Sequence, residues 1–291
     1  MPSNNGSDQL TQLYDHLNLQ QIEENLYETT HKNEGWKQIY GGQVLAQALL
    51  SASNTVPTDR QVHSLHSYFL RPGIIDQPIR FQVDRIRDGR SFSTRRVTAL
   101  QNDKAILNLA ASFQIQEEGL SYQAEAPKVK APEECLTRLE LAQKYADFAP
   151  KQSLKFAESK FAIDLRLVEP ENVFAPQVAE PHRAVWIKLN DTLPADYGLH
   201  SHILAYASDL TILETALRPH GISLFEPKLQ IASLDHAMWF HRSFRVDEWL
   251  LYVQDSPASA NSRGFGRGSI FTRDGKLVVS VAQEGLMRMR D

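Results

Sequence analysis

Three polar residues set among apolar ones carry the chemistry this chain can offer: Asp209, Ser233 and Gln283. Ser208 and Asp209 stand just before Leu210, Leu213, Ala216 and Leu217, an apolar stripe at helical spacing, so they read as a helix start. Pro219 and Gly221 end that helix. From Leu229 the period falls to two, and Leu229, Ile231, Ser233 and Asp235 share one strand face. Gln283 extends the core-facing row Leu277, Val279, Val281, where a buried amide needs fixed partners. Each has a plainer reading alone: Asp209 as a cap, Ser233 as a small core residue, Gln283 bonded to backbone at a strand end. Together, a carboxylate, a hydroxyl and an amide can hold one water between them.

Other polar residues are weaker candidates. Asp235 and His236 are adjacent on a strand and point to opposite faces, so His236 reads as structural. Gly264, Gly266 and Gly268 suggest a phosphate loop, but a strand pattern follows them where a helix would be needed. Arg263 and Arg267 beside them are candidate contacts for phosphate groups; a solvated strand end is the plainer reading. There is no G-x-S-x-G, which argues against a serine nucleophile. The histidines show no metal-ligand spacing, and neither a metal nor a cofactor is expected.

The elements that must position these residues follow from periodicity. A short helix is expected over Leu10–Leu17, and strands over Gln21–Lys32 and Gly35–Tyr40. Gly41-Gly42-Gln43 open an amphipathic helix with Val44, Leu45, Ala48 and Leu49 buried, running to about Ala52. Strands follow over Val62–Leu70, Ile79–Arg87, Ser91–Leu100 and Ala105–Gln114, with Asp88-Gly89 closing a hairpin. Ala126-Pro127 and Ala131-Pro132 mark a linker, with a surface helix over Glu133–Tyr145 and Pro150 ending the segment. Strands Ile163–Val168 and Ala184–Leu189 come next, then a helix over Tyr206–Leu217 or from as far upstream as His200. The chain closes with strands Leu229–Phe240, Glu248–Gln254, Gly266–Thr272 and Leu277–Gln283. One helix followed by long antiparallel strands is an α+β pattern.

The second half repeats the first. The stretch Val97–Ala111 aligns with Ser269–Gln283, bringing Lys104 onto Lys276, 172 residues on. Phe69 and Arg71 align with Phe240 and Arg242 at a spacing of 171, and Ala48-Leu49 with Ala216-Leu217 at 168. The division expected is a first repeat over residues 1–118, a linker over 119–160 and a second repeat over 161–291. Asp209 falls on Gly41 and Gln283 on Ala111, so the polar set belongs to the second repeat only and one working site per chain is expected.

Composition bounds the partners. With 42% hydrophobic and 23% charged residues, the 291-residue chain has enough apolar content for a packed core. A net charge of −4 disfavours nucleic acid and anionic membrane. The single cysteine, Cys135, rules out an intramolecular disulfide framework and fits a reducing compartment. No apolar run approaches membrane-span length and the N-terminus lacks a signal core, so membrane insertion is not expected and the cytoplasm is the default.

The chain resembles the acyl-CoA thioesterase II (TesB-like) family, which has a double hotdog fold. The resemblance lies in G-G-Q-V-L-A-Q-A-L from Gly41, H-S-L-H-S-Y-F-L-R-P-G from His63, D-G-R-S-F-S-T-R-R-V from Asp88, Y-A-S-D-L from Tyr206, L-D-H-A-M-W-F-H-R from Leu234 and S-R-G-F-G-R-G from Ser262. It implies two tandem hotdog repeats, each a central helix wrapped by antiparallel sheet. The activity implied is hydrolysis of fatty acyl-CoA, of medium to long chain, to free fatty acid and coenzyme A. In the family an Asp, a Thr and a Gln orient the hydrolytic water; these fall on Asp209, Ser233 and Gln283, with Ser where the family commonly has Thr. Arg263 and Arg267 would then meet the phosphates of coenzyme A, and a homo-oligomer (dimer or tetramer) is expected. An acyl-CoA hydratase or dehydratase on the same fold, and a non-catalytic acyl-CoA sensor, are the alternatives.

Overall fold

The structure, a computed structural model, describes residues 7–29, 39–75, 77–149, 157 and 161–290. Its first half runs α1 (Ser7–His16), β1 (Gln20–Glu23), β2 (Leu26–Thr29), α2 (Gly41–Ser53), β3 (Arg60–Phe69), β4 (Ile79–Asp88), β5 (Phe92–Gln101) and β6 (Lys104–Ile115). After α3 (Arg138–Lys144), the second half runs β7 (Ile163–Leu167), β8 (His182–Leu189), α4 (Tyr197–Ser208), α5 (Ile212–Leu217), β9 (Leu229–Ser233), β10 (Asp235–Phe240), β11 (Leu250–Ala260), β12 (Arg263–Thr272) and β13 (Leu277–Met289).

All strands join one antiparallel sheet in the order β1-β2-β4-β5-β6-β3-β10-β13-β12-β11-β8-β7, with β9 also on β13. The two halves meet where β3 pairs with β10 and His66 lies opposite Ala237, its own equivalent 171 residues on. That pairing marks a local two-fold relation between the halves. On one face of the sheet, α2 and α4 pack against each other, α2 lies on β5 and β6, and α5 lies on β11 and β12. Leu45, Leu49, Leu65, Phe81, Leu107, Ile187, Leu204 and Val279 belong to one continuous buried cluster spanning both halves. Burying that area is what holds two amphipathic helices inside a curved sheet.

Several expected boundaries move, each for a local reason. The single strand read over Gln21–Lys32 is a hairpin, because Asn25 turns in the left-handed region at φ 61°; the expected strand Gly35–Tyr40 lies mostly outside the described residues, as does Pro150. The surface helix starts at Arg138 and not at Glu133. Thr137 accepts the Glu140 N–H while the Glu140 carboxylate accepts the Thr137 N–H, a capping box that fixes the start. The segment read as a linker with a surface helix straps the outer face of the second half's sheet. Cys135 buries there with Val168, Trp186, Leu251 and Phe271, the Trp186 indole donates to Lys130 O at 2.9 Å, and Arg273 grips Glu133 at 2.7 and 2.8 Å.

Gly264 and Gly266 of β12 face α5, and Gly268 faces the Tyr252 ring. A Cβ on Gly264 would lie 2.7 Å from Ala216 Cβ, and one on Gly266 would lie 2.9 Å from Ile212 Cγ1. Gly285 on β13 does the same for Leu213 at 2.5 Å. These residues let the helix touch the sheet backbone, which accounts for the glycine run without any phosphate.

Candidate active site

Asp209 ends a helix where the sequence pattern suggested a start. α4 begins at its own cap, with Asp196 accepting the Gly198 N–H at 2.9 Å, and finishes at Ser208. The helix then breaks over Asp209–Thr211 before α5 resumes at Ile212. The carbonyls freed at the break find outside donors: the Tyr40 hydroxyl on Tyr206 O at 2.9 Å and the Tyr252 hydroxyl on Ser208 O at 3.2 Å. Ser208 Oγ lies within 3.0 Å of Ala205 O at this break.

The amino end of α2, from the other repeat, abuts this break. A Cβ on Gly42 would lie 2.5 Å from Tyr206 O, and one on Gly41 would lie 2.9 Å from Asp209 Oδ2. The Gly42 N–H faces the Asp209 carboxylate and favours its charged form. Asp209 therefore sits between the carboxyl end of α4, which repels a negative charge, and the amino end of α2, which attracts one. Burial raises its pKa above the ordinary 3.8, against the opposing pull of His236, Gln283, Ser233 and the Gly42 N–H.

Ser233 is the last residue of β9, paired with Gly285, and Leu234 donates its N–H to Glu284 O at 2.9 Å. From Ala237 onward the register against β13 has shifted by one residue. This bulge reverses the alternation of faces. The expected row Ser233, Asp235 is therefore broken: Asp235 accepts the Glu284 backbone N–H at 2.8 Å, and His236 takes the inner face with Ser233.

The three residues singled out from the sequence meet in a closed triangle. Ser233 Oγ donates to Asp209 Oδ1 at 3.0 Å, and Gln283 Nε2 donates to Asp209 Oδ1 and to Ser233 Oγ, both at 2.8 Å. The carbonyl of Gln283 faces His236 Nδ1, whose Nε2 lies 2.9 Å from Ser208 Oγ. Gln283 and His236 are both 0% exposed, while Asp209 and Ser233 keep partial access to solvent. Both amide hydrogens of Gln283 are thus committed to protein. It ties Asp209 and Ser233 together, the two members of the triangle that are only partly buried.

Arg263 and Arg267 do not join this cluster. Gly266 is paired with Gln283 and faces the helix, so Arg263 and Arg267 project from the opposite face of β12. Arg263 Nε donates to Glu284 at 2.8 Å and Arg267 pairs with Asp255. Sequence reasoning also passed over Gly41, Gly42 and His236. The internal alignment contained the signal for His236, since the 171-residue spacing sets it on the core residue Leu65. Among the described residues no group of three His, Cys, Asp or Glu is placed to hold a metal ion.

Fold and site together define a double-hotdog protein with one acid-centred polar cluster at the junction of its repeats. A family model for acyl-CoA thioesterase matches residues 152–286, and one for the acyl-CoA thioesterase N-terminal domain matches residues 32–114. Acyl-CoA thioesterase 2 of Haemophilus influenzae is 36% identical over 286 residues, 98% of this chain and 100% of that protein. Acyl-coenzyme A thioesterase 8 of Mus musculus is 38% identical, covering 94% of this chain and 88% of that protein. The crystal structure of the acyl-CoA thioesterase II TesB2 from Mycobacterium marinum aligns with a TM-score of 0.79 at 40% identity, over 96% of this chain and 99% of that one. The chain belongs to the acyl-CoA thioesterase family.

Proposed function

We propose that the protein hydrolyses fatty acyl-CoA to free fatty acid and coenzyme A with a water activated by Asp209 and steered by Ser233, their geometry locked by Gln283. The observation that carries this reading is the closed Asp209–Ser233–Gln283 triangle, in which Gln283 is fully buried and Asp209 and Ser233 only partly so. Asp209 takes a proton from the water as its oxygen attacks the thioester carbonyl carbon. A base with a raised pKa is better matched to that task than an ordinary carboxylate. The first turn of α2 lies beside the carboxylate, so its N–H groups supply the positive end of a helix to the developing oxyanion. Collapse of the tetrahedral intermediate expels the thiolate of coenzyme A; a thiol of ordinary pKa, about 8.5, leaves without help from a strong acid.

The hydratase or dehydratase alternative calls for a histidine that touches substrate beside the acid. His236 is wholly buried and both ring nitrogens already face protein partners, which speaks for hydrolysis. The test is release of free thiol from palmitoyl-CoA. Turnover is expected; binding of palmitoyl-CoA without thiol release favours a sensor. A chain-length series then tests the preference for medium to long acyl groups.

Three coarser expectations stand with this reading. The repeats are taken as residues 1–118 and 161–291 around a connecting strap, the second carrying the reacting groups. The exposed Tyr68 and Trp239 on the outer face where the halves join favour self-association, which light scattering measures. The lone cysteine favours the cytoplasm, which localisation of a tagged full chain would test.

A further inference from the structure

We infer that His236 is a positioning residue: its Nδ1–H holds the Gln283 carbonyl and so fixes the amide whose other end arranges Asp209 and Ser233. The inference rests on the triangle proposed above and adds a layer behind it.

Hydrogen-bond logic sets the direction of every bond in the cluster. The Gln283 carbonyl can only accept, so the hydrogen of the imidazole must be on Nδ1. Burial lowers the His236 pKa and keeps the ring neutral, so Nε2 accepts; the Ser208 hydroxyl lies 2.9 Å from Nε2 and 3.0 Å from Ala205 O, and with Nδ1–H held by Gln283 its single hydrogen turns to the ring. The result is a one-way chain: Ser208 O–H to His236, His236 N–H to Gln283, and Gln283 N–H to both Asp209 Oδ1 and Ser233 Oγ. Each bond polarises the next, and the chain ends on the carboxylate.

Asp209 by itself orients the amide only while it is ionised. Once it has taken the proton from water, its carboxyl can donate, and a reversed amide would offer it an oxygen. The His236 Nδ1–H removes that option, because reversal would set an N–H against an N–H. The site thus returns to the same geometry after each proton transfer. A role in packing alone does not call for this residue. The equivalent positions in the first repeat are the buried pair Leu65 and Ala111, opposite one another on β3 and β6.

The experiment uses the full chain with His236→Leu and His236→Asn, scored by palmitoyl-CoA hydrolysis and thermal unfolding, with Asp209→Ala as a control. Asn can present an N–H where Nδ1 stood; Leu cannot. His236→Leu should lower kcat on the order of 10²-fold, the scale for a misplaced reacting group, with KM within about twofold of wild type. His236→Asn should recover most of that loss. A folded His236→Leu protein with wild-type kcat overturns the inference, as does a folded His236→Asn protein impaired as deeply as Leu. If His236→Leu does not fold, the Asn variant alone decides. If Asp209→Ala also keeps its turnover, the underlying triangle has failed as well; if only His236→Leu does, the inference alone falls.

Discussion

The two halves share one plan, and the inward positions that carry the polar cluster in one are apolar or bare in the other. Leu65 and Ala111 of the first half stand where the second has His236 and Gln283, and Gly41 stands where the second has Asp209. The apolar pair shows that the sheet needs no hydrogen-bonded side chains there. The polar cluster is therefore a local departure from a packing scheme that works without it, made at a site where function tolerates such departures. The half without reacting groups still takes part. Its helix α2 turns the Gly42 N–H toward Asp209, and its Gly41 leaves room for the carboxylate.

The sharpest way to break the asymmetry is to remove its acid. Asp209→Ala should cut kcat by about 10²–10⁴-fold with the fold retained, the range for loss of a general base. In the wild type, kcat should decline on acidification with a midpoint above the ordinary 3.8, because Asp209 must be ionised to act and burial raises its pKa. The stability sign is opposite: a raised folded-state pKa stabilises below the unfolded value, and this contribution is lost as pH rises through the folded one. Thermal unfolding across pH should show less of that loss in Asp209→Ala.

Gly41→Ala presses on the same contact from the other half. A methyl 2.9 Å from Asp209 Oδ2 must displace the carboxylate, and turnover should fall about 10²-fold although residue 41 bears no reacting group. Wild-type turnover in this variant would show that α2 does not shape the site.

Gln283→Ala should cost a similar factor in turnover and, in addition, stability. It orphans the buried His236 N–H, worth roughly 1–3 kcal/mol. The double variant Gln283→Ala/His236→Leu rebuilds the first half's Ala–Leu pair. It should regain the lost melting temperature while staying inactive, and a double variant less stable than either single one would break the equivalence of the halves. The smallest effect concerns the hydroxyl: Ser233→Ala should lose about tenfold in kcat as one steering bond goes, and Ser233→Thr should stay close to wild type, both read by steady-state thiol release.

The long strands and α2 were legible because their apolar periods are regular and their turns carry Asp-Gly or Asn-Asp pairs. The triangle was legible because its members break those periods in one half only. What escaped was set by tertiary contacts. The helix break at Asp209 depends on the Tyr40 and Tyr252 hydroxyls, distant in sequence. The bulge after Ser233 leaves no mark on the local pattern, yet it turns His236 inward and Asp235 outward. The face taken by Arg263 and Arg267 was not legible because alternation along β12, read alone, does not say which face the helix covers.

The contact between Gly41 and Asp209 also limits how such a chain can change. Two residues related by the internal two-fold compete for one volume. Moving the acid to the first half would require Gly41→Asp and Asp209→Gly together. Taken one at a time, these changes pass through a chain with two carboxylates in contact, one of them forced to keep its proton, or through a chain with no acid at all. Neither intermediate keeps the working base in place. The handedness of the site, once set in one half, is held there by steric exclusion at a single glycine.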